Sequence, residues 1–245
     1  MKFNLTRLAI LTAICLLSVS IGMAGVTCPA PGGVPMAPTY VTQNIAGNGA
    51  ANGFVCDLGN LQFSNFTYVN SPNTVTASGV TVTPITSPGN EGLDFNGGWS
   101  AAPGTTSDIT IKFTVTALSG VIDDLGIDIA GANVQGAGSS ISYIEQFCNV
   151  GGTCSIFTDT PVGPLSTDLS LAASGLGSSV TQLNIVKDLR ITAGSGNNSS
   201  AEISDFDNHY SNHAVPEPRT VSVLLSLALF AGVIYMKKRS QAVRS

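Results

Sequence analysis

Charge is scarce in this sequence, where Asp, Glu, Lys and Arg make up 10% of 245 residues. Bases are scarcer still through the middle. Between positions 25 and 215 there are only Lys112, Lys187 and Arg190, against fourteen acidic side chains. A body of that sign offers no basic groove to displace counterions from phosphates, so nucleic acid is excluded as a partner. Histidine is limited to His209 and His213, and no Gly-x-Ser-x-Gly turn occurs. A serine nucleophile therefore has neither elbow nor base, and the expectation is a protein that is not an enzyme. Aromatics are thin, with a single tryptophan, Trp99, so a pair of carboxylates working on a polysaccharide would lack the usual stacking surface. No window between 26 and 214 carries a long helical period with end caps.

The same stretch is instead written in strands. Ile109, Ile111, Phe113, Val115 and Ala117 alternate with Thr110, Lys112, Thr114 and Thr116, the period of two of a half-buried antiparallel strand. Similar runs, rich in β-branched and aromatic residues, cover 61–69, 74–83, 140–148 and 180–192. Turn clusters such as Asn70-Ser71-Pro72-Asn73, Pro103-Gly104 and Gly194-Ser195-Gly196-Asn197 separate them. Short strands with this punctuation predict an all-β fold, an antiparallel β-sandwich of jelly-roll-like character over 25–210. The proline- and glycine-rich stretch 25–50 is expected to be an irregular arm. Residues 204–215 are expected to be a last strand running into a linker over 211–219.

Cysteine usage fits an exported domain. Cys28, Cys56, Cys148 and Cys154 make an even set with three possible pairings. Cys28 with Cys56 and Cys148 with Cys154 is the favoured set, because Gly151-Gly152 lets the second pair fold back on itself. Neither spacing is a C-x-x-C pair and no histidine is near in sequence, so zinc is not expected. Three acidic stretches invite a calcium reading: Asp123, Asp124 and Asp128; Asp94 with Asn96; Asp205 with Asp207. None has the spacing of a calcium loop, so they read as exposed strand-end carboxylates and no metal or other cofactor is expected. His209 and His213 read as linker residues. Trp99, beside Gly97-Gly98, reads as a core plug before a sugar platform.

The two ends carry an address. Residues 1–24 have Lys2 and Arg7 ahead of an apolar run and small residues before position 25, the pattern of a secretory signal peptide cut by signal peptidase after Ala24. At the other end an uncharged run, Val221 to Met236, would span ~24 Å as a helix, a little less than a bilayer core. It defines a transmembrane segment over 220–236, and the basic tail 237–245 begins with Lys237, Lys238 and Arg239, which orient that tail to the cytoplasm.

Val215-Pro216-Glu217-Pro218, the apolar run and the basic cluster, in that order, resemble the PEP-CTERM sorting signal of Gram-negative exopolysaccharide producers. The two prolines hold Glu217 in an extended segment without amide donors on either side, a shape a processing enzyme reads directly. The resemblance implies an exosortase as partner, transient anchoring in the inner membrane, and delivery to the cell surface or extracellular matrix. The resulting expectation is a structural or adhesive surface protein. The alternative is a carbohydrate- or calcium-binding module of the exopolysaccharide matrix, and a polysaccharide hydrolase stands behind both.

Overall fold

The computed structural model describes residues 26–213 apart from 30–31, 44–48, 73, 88 and 179. The expected signal peptide, the Val215 to Pro218 motif, the apolar run and the Lys237, Lys238, Arg239 flank lie outside the described residues. Among the described residues no helix is long and apolar enough to cross a membrane.

The described residues form fifteen strands, in order β1 (Val34–Pro35), β2 (Val41–Gln43), β3 (Gly49–Ala51), β4 (Cys56–Leu58), β5 (Leu61–Ser71), β6 (Thr81–Ser87), β7 (Asn90–Ala101), β8 (Thr106–Ala117), β9 (Val121–Ala130), β10 (Asn133–Gln135), β11 (Ser140–Asn149), β12 (Cys154–Asp159), β13 (Leu165–Ser170), β14 (Gln182–Thr192) and β15 (Ser200–His213). They form two antiparallel sheets. One has seven strands in the order β1-β6-β7-β15-β9-β13, with β10 also on β15; the other has eight in the order β12-β11-β14-β8-β5-β3-β2, with β4 on β5. The protein is therefore an all-β sandwich.

Alternation puts the apolar faces between the sheets. On β8 the inward set Ile109, Ile111, Phe113 and Val115 is buried, and Phe113 packs against Phe66 (5.7 Å between centroids), Phe95 (5.6 Å) and Phe63 (6.4 Å). Burying each such side chain contributes roughly 1.5–3 kcal/mol. Trp99 belongs to this core. It is fully buried, stacks on Phe206 at 4.9 Å and donates its indole N–H to Tyr68 Oη at 3.1 Å. Gly97 and Gly98 beside it are not a turn. The register slips by one residue there against β15, making a bulge in β7, and the indole lies where a Cβ on Gly97 would be, 2.4 Å from its ring atoms.

Three expectations change at the edges of the fold. Residues 74–83 are not one strand, because the Val75 carbonyl is drawn aside by Tyr68 Oη (2.7 Å) and Asn70 Nδ2 (2.9 Å); Ala77–Gly79 form a 3-10 turn before β6. The 25–50 arm is part of the core rather than a loose appendage. Met36, Tyr40 and Val41 are fully buried, and its short strands join both sheets, β1 on β6 and β2 on β3. The third change concerns β15, which extends to His213 and runs through the middle of its sheet between β7 and β9. Asp205, Asp207, His209 and Ser211, which give this stretch much of its polarity, alternate along one face of that strand.

Candidate functional site: a carboxylate row on the outer face of the seven-stranded sheet

β15 sends Ala201, Ile203, Phe206, Asn208 and Tyr210 into the sandwich, all buried. By alternation Asp205, Asp207, His209 and Ser211 face outward. In antiparallel sheets directly paired residues share a face, so the register decides what those side chains meet. Asp207 is opposite Asp94 of β7 on one side and Asp128 of β9 on the other. One step along, His209 is opposite Gly92 and Gly126, and Gly126 in turn is opposite Asp168 of β13. A second step along, Ser211 pairs with Asp124 and donates to its Oδ2 at 3.0 Å.

The glycine at 126 makes the arrangement possible. A Cβ there would lie 1.9 Å from His209 Nε2, so the imidazole can lie across β9 only because residue 126 has no side chain. The ring thereby reaches Asp168 Oδ1 with Nε2 at 3.1 Å. Its Nδ1 faces the row, 3.5 Å from Asp128 Oδ2 and 3.6 Å from Asp207 Oδ1. Asp128 Oδ1 and Asp207 Oδ1 are both buried and accept no hydrogen bond. Asp128, Asp207 and His209 can each turn one ligand atom to within 4.8 Å of the others.

The row is electrostatically uncomfortable. Asp207 is pushed up to about 6, first by burial and then by Asp128, with Lys187 and His209 opposing. Asp94 is also pushed up to about 6, by burial and then by Asp205 and Asp207. A divalent cation would relieve both, since it replaces repulsion among oxygens with shared coordination. The chemistry of the donors suits one. Carboxylates take hard cations, and an imidazole whose far nitrogen is held by a carboxylate, as Nε2 is by Asp168, is oriented to offer the near nitrogen as a ligand.

The three acidic stretches that fail separately as calcium loops thus converge. Asp94, Asp128 and Asp207 meet in one row, with Asp205 and Asn96 paired one step away. Asp123 lies outside the row. His209 is a sheet residue rather than a linker residue, which corrects its reading from sequence; the side chain of His213 lies outside the described set. Asp168 is the member that sequence reasoning missed, for it sits alone in Leu165–Ser170 and only the β13–β9 register brings it in. Trp99 is no part of any surface. The disulfides join Cys28 to Cys56 and Cys148 to Cys154, the pairs favoured by spacing.

No family model matches this chain, and no curated protein matches it. Among solved structures, similarity is found to TmCBM61 in complex with beta-1,4-galactotriose, at 10% identity over 58% of this chain and 86% of that one, with a TM-score of 0.31. It is also found to the family 11 carbohydrate-binding module from Clostridium thermocellum, solved with a beta-1,3-1,4-mixed-linked tetrasaccharide, at 8% identity over 62% and 90% of the two chains, with a TM-score of 0.27. A third is the CBM22-1 xylan-binding domain from Paenibacillus barcinonensis Xyn10C, at 10% identity over 60% and 87%, with a TM-score of 0.26.

Proposed function

We propose that this is an exported, non-enzymatic surface module that holds a divalent cation on the Asp94-Asp207-Asp128 row and engages acidic or hydroxyl-rich matrix polysaccharide through it. The observation that carries the reading is that Asp128 and Asp207, whose carboxylates both lie beside His209 Nδ1, each bury one oxygen that accepts no hydrogen bond. Carboxylates so crowded have a use for a cation, and a cation at a sheet surface keeps coordination positions open for sugar hydroxyls or uronate oxygens. Sugar stacking on Trp99 is ruled out by its burial, so polar coordination is the route left to that residue's neighbours.

Two disulfides in one domain support an oxidising, extracytoplasmic destination. Delivery belongs to the same proposal: a signal peptide exports the chain, and an exosortase processes it near Pro216-Glu217-Pro218, leaving the apolar segment in the inner membrane. The sandwich reads as jelly-roll-like, because successive long strands pass back and forth between the two sheets. Calorimetry with calcium alone, manganese alone and then polysaccharide tests the binding part. The proposal expects saturable cation binding, cation-dependent glycan binding, and loss of both in Asp128→Asn/Asp207→Asn. Glycan binding unaffected by chelator would overturn it. Replacing Pro216-Glu217-Pro218 with alanines tests delivery, and is expected to leave the protein in the inner-membrane fraction.

A further inference from the structure

A second polar cluster lies inside the sandwich, where water does not reach. Glu145 of β11 and Lys187 of β14 are opposed in register, and both side chains are fully buried. Lys187 Nζ is 2.9 Å from Glu145 Oε2 and 2.8 Å from Tyr143 Oη, and Tyr143 donates to that same Oε2. The other carboxylate oxygen faces the opposite sheet. Glu145 Oε1 accepts from Asn208 Nδ2 of β15 at 2.9 Å. Lys187 Nζ also reaches across, to the Asp207 carbonyl at 3.4 Å, one residue from Asn208. One buried carboxylate therefore bridges an amine from one sheet and a primary amide from the other.

This cluster is hard to explain as a device for stability. Removing two charges from water costs several kcal/mol per ion, and a well-packed apolar pair usually does as well. It is well arranged as a reaction site. Lys187 Nζ has a proton acceptor in reach, Glu145 Oε2 at 2.9 Å, with both groups shut away from water. The rings of Phe206 and Tyr143 stand 5.2 and 5.5 Å from Nζ and complete an apolar wall. Asn208 is fixed by a second bond, from Nδ2 to the Gly126 carbonyl at 3.2 Å, while its Oδ1 is buried and accepts nothing. One carboxylate that holds the amine at one oxygen and the amide at the other gathers both groups in a dry site, which raises their effective concentration by orders of magnitude.

We propose that Lys187 and Asn208 join in a self-catalysed amide bond between the two sheets, with the Glu145 carboxyl carrying the protons. Lys187 first passes a proton to Glu145, leaving a neutral amine and a neutral acid. Nζ then attacks Cγ of Asn208, forming the C–N bond and pushing the carbonyl electrons onto Oδ1. Glu145 returns its proton to Nδ2 and takes one from the new ammonium nitrogen. The Cγ–Nδ2 bond breaks as the carbonyl reforms, and ammonia leaves. No oxidant or cofactor takes part, and the buried charge pair is gone. The product is a covalent staple between consecutive strands of opposing sheets.

The test is the mass of the exported protein, denatured and with its disulfides reduced. It is expected to fall below the sequence mass of the mature chain by one ammonia. After trypsin, the peptide ending at Arg190 should remain uncleaved at Lys187 and be joined to the peptide beginning at Ile191. Glu145→Gln should restore the full mass, with normal cleavage at Lys187 and the peptide beginning at Ile191 released unlinked. An unmodified mass in the folded wild type overturns the proposal whether or not the variant folds. So does an ammonia loss that maps to a linear peptide, such as a succinimide at Asn96-Gly97.

Discussion

Asp207→Asn is the substitution on which the carboxylate row is most exposed to refutation. In the folded protein this carboxyl is raised from 3.8 to about 6 by burial and Asp128. A carboxyl with a higher folded than unfolded pKa takes up a proton on folding, so its effect on stability is most favourable below the unfolded value. That advantage is lost as pH rises from about 4 to about 6. At ~1.4 kcal/mol per unit the shift corresponds to a ceiling of roughly 3 kcal/mol of destabilisation at neutral pH. About a fifth of the side chain is exposed (21%), and solvent screening there reduces the figure to about 1–2 kcal/mol. Asparagine keeps the shape and removes the charge, so in chelator at neutral pH the variant should melt roughly 2–8 °C above wild type. At about pH 2.5 the carboxyl is almost fully protonated in both states and the gain should vanish. Adding calcium should stabilise the wild type and leave the variant where it was. A variant no more stable than wild type in chelator, or a difference independent of pH, would refute the reasoning.

Gly126→Ala should drive His209 off β9 and release its contact with Asp168, because the added Cβ would sit 1.9 Å from Nε2; cation binding should fall about tenfold, read by calorimetry. Trp99→Ala should cost about 3–5 kcal/mol in urea unfolding through loss of core packing, and any glycan affinity that survives in the folded fraction should match wild type. Mild reductant should open Cys148–Cys154 before Cys28–Cys56, since Cys154 is exposed whereas Cys28 and Cys56 are buried. Peptide mapping after timed alkylation reads the order. Removing the Cys28–Cys56 link, which closes 28 residues, should cost about 3–4 kcal/mol against about 2–3 for the short loop.

Much of this architecture was legible locally. The alternation at 109–117 appears as β8, and the runs at 61–69 and 140–148 appear as the cores of β5 and β11. Those calculations need only neighbours along the chain. The site needed register, which does not. Asp94, Asp128 and Asp207 are each unremarkable in their own strands and become a row only because β15 inserts between β7 and β9. The same is true inside, where nothing near Lys187 in sequence announces Glu145 or Asn208. Residues 204–213, expected as a last strand giving way to a linker at 211, are strand as far as His213. Their inward positions include Asn208, whose Nδ2 donates to Glu145 Oε1 and the Gly126 carbonyl, so the apolar half of the alternation is interrupted where the strand is most central.

The placement of β15 has a consequence for how the molecule comes to exist. Its strand partners β7 and β9 have no hydrogen-bonded seam with each other and wait for residues 200–213 to fill the gap. A folding chain therefore keeps two raw strand edges open until almost all of the body is available. The last of these strands to arrive works as a keystone that locks the assembly. Truncation before position 200 should give an aggregating product rather than a smaller sandwich.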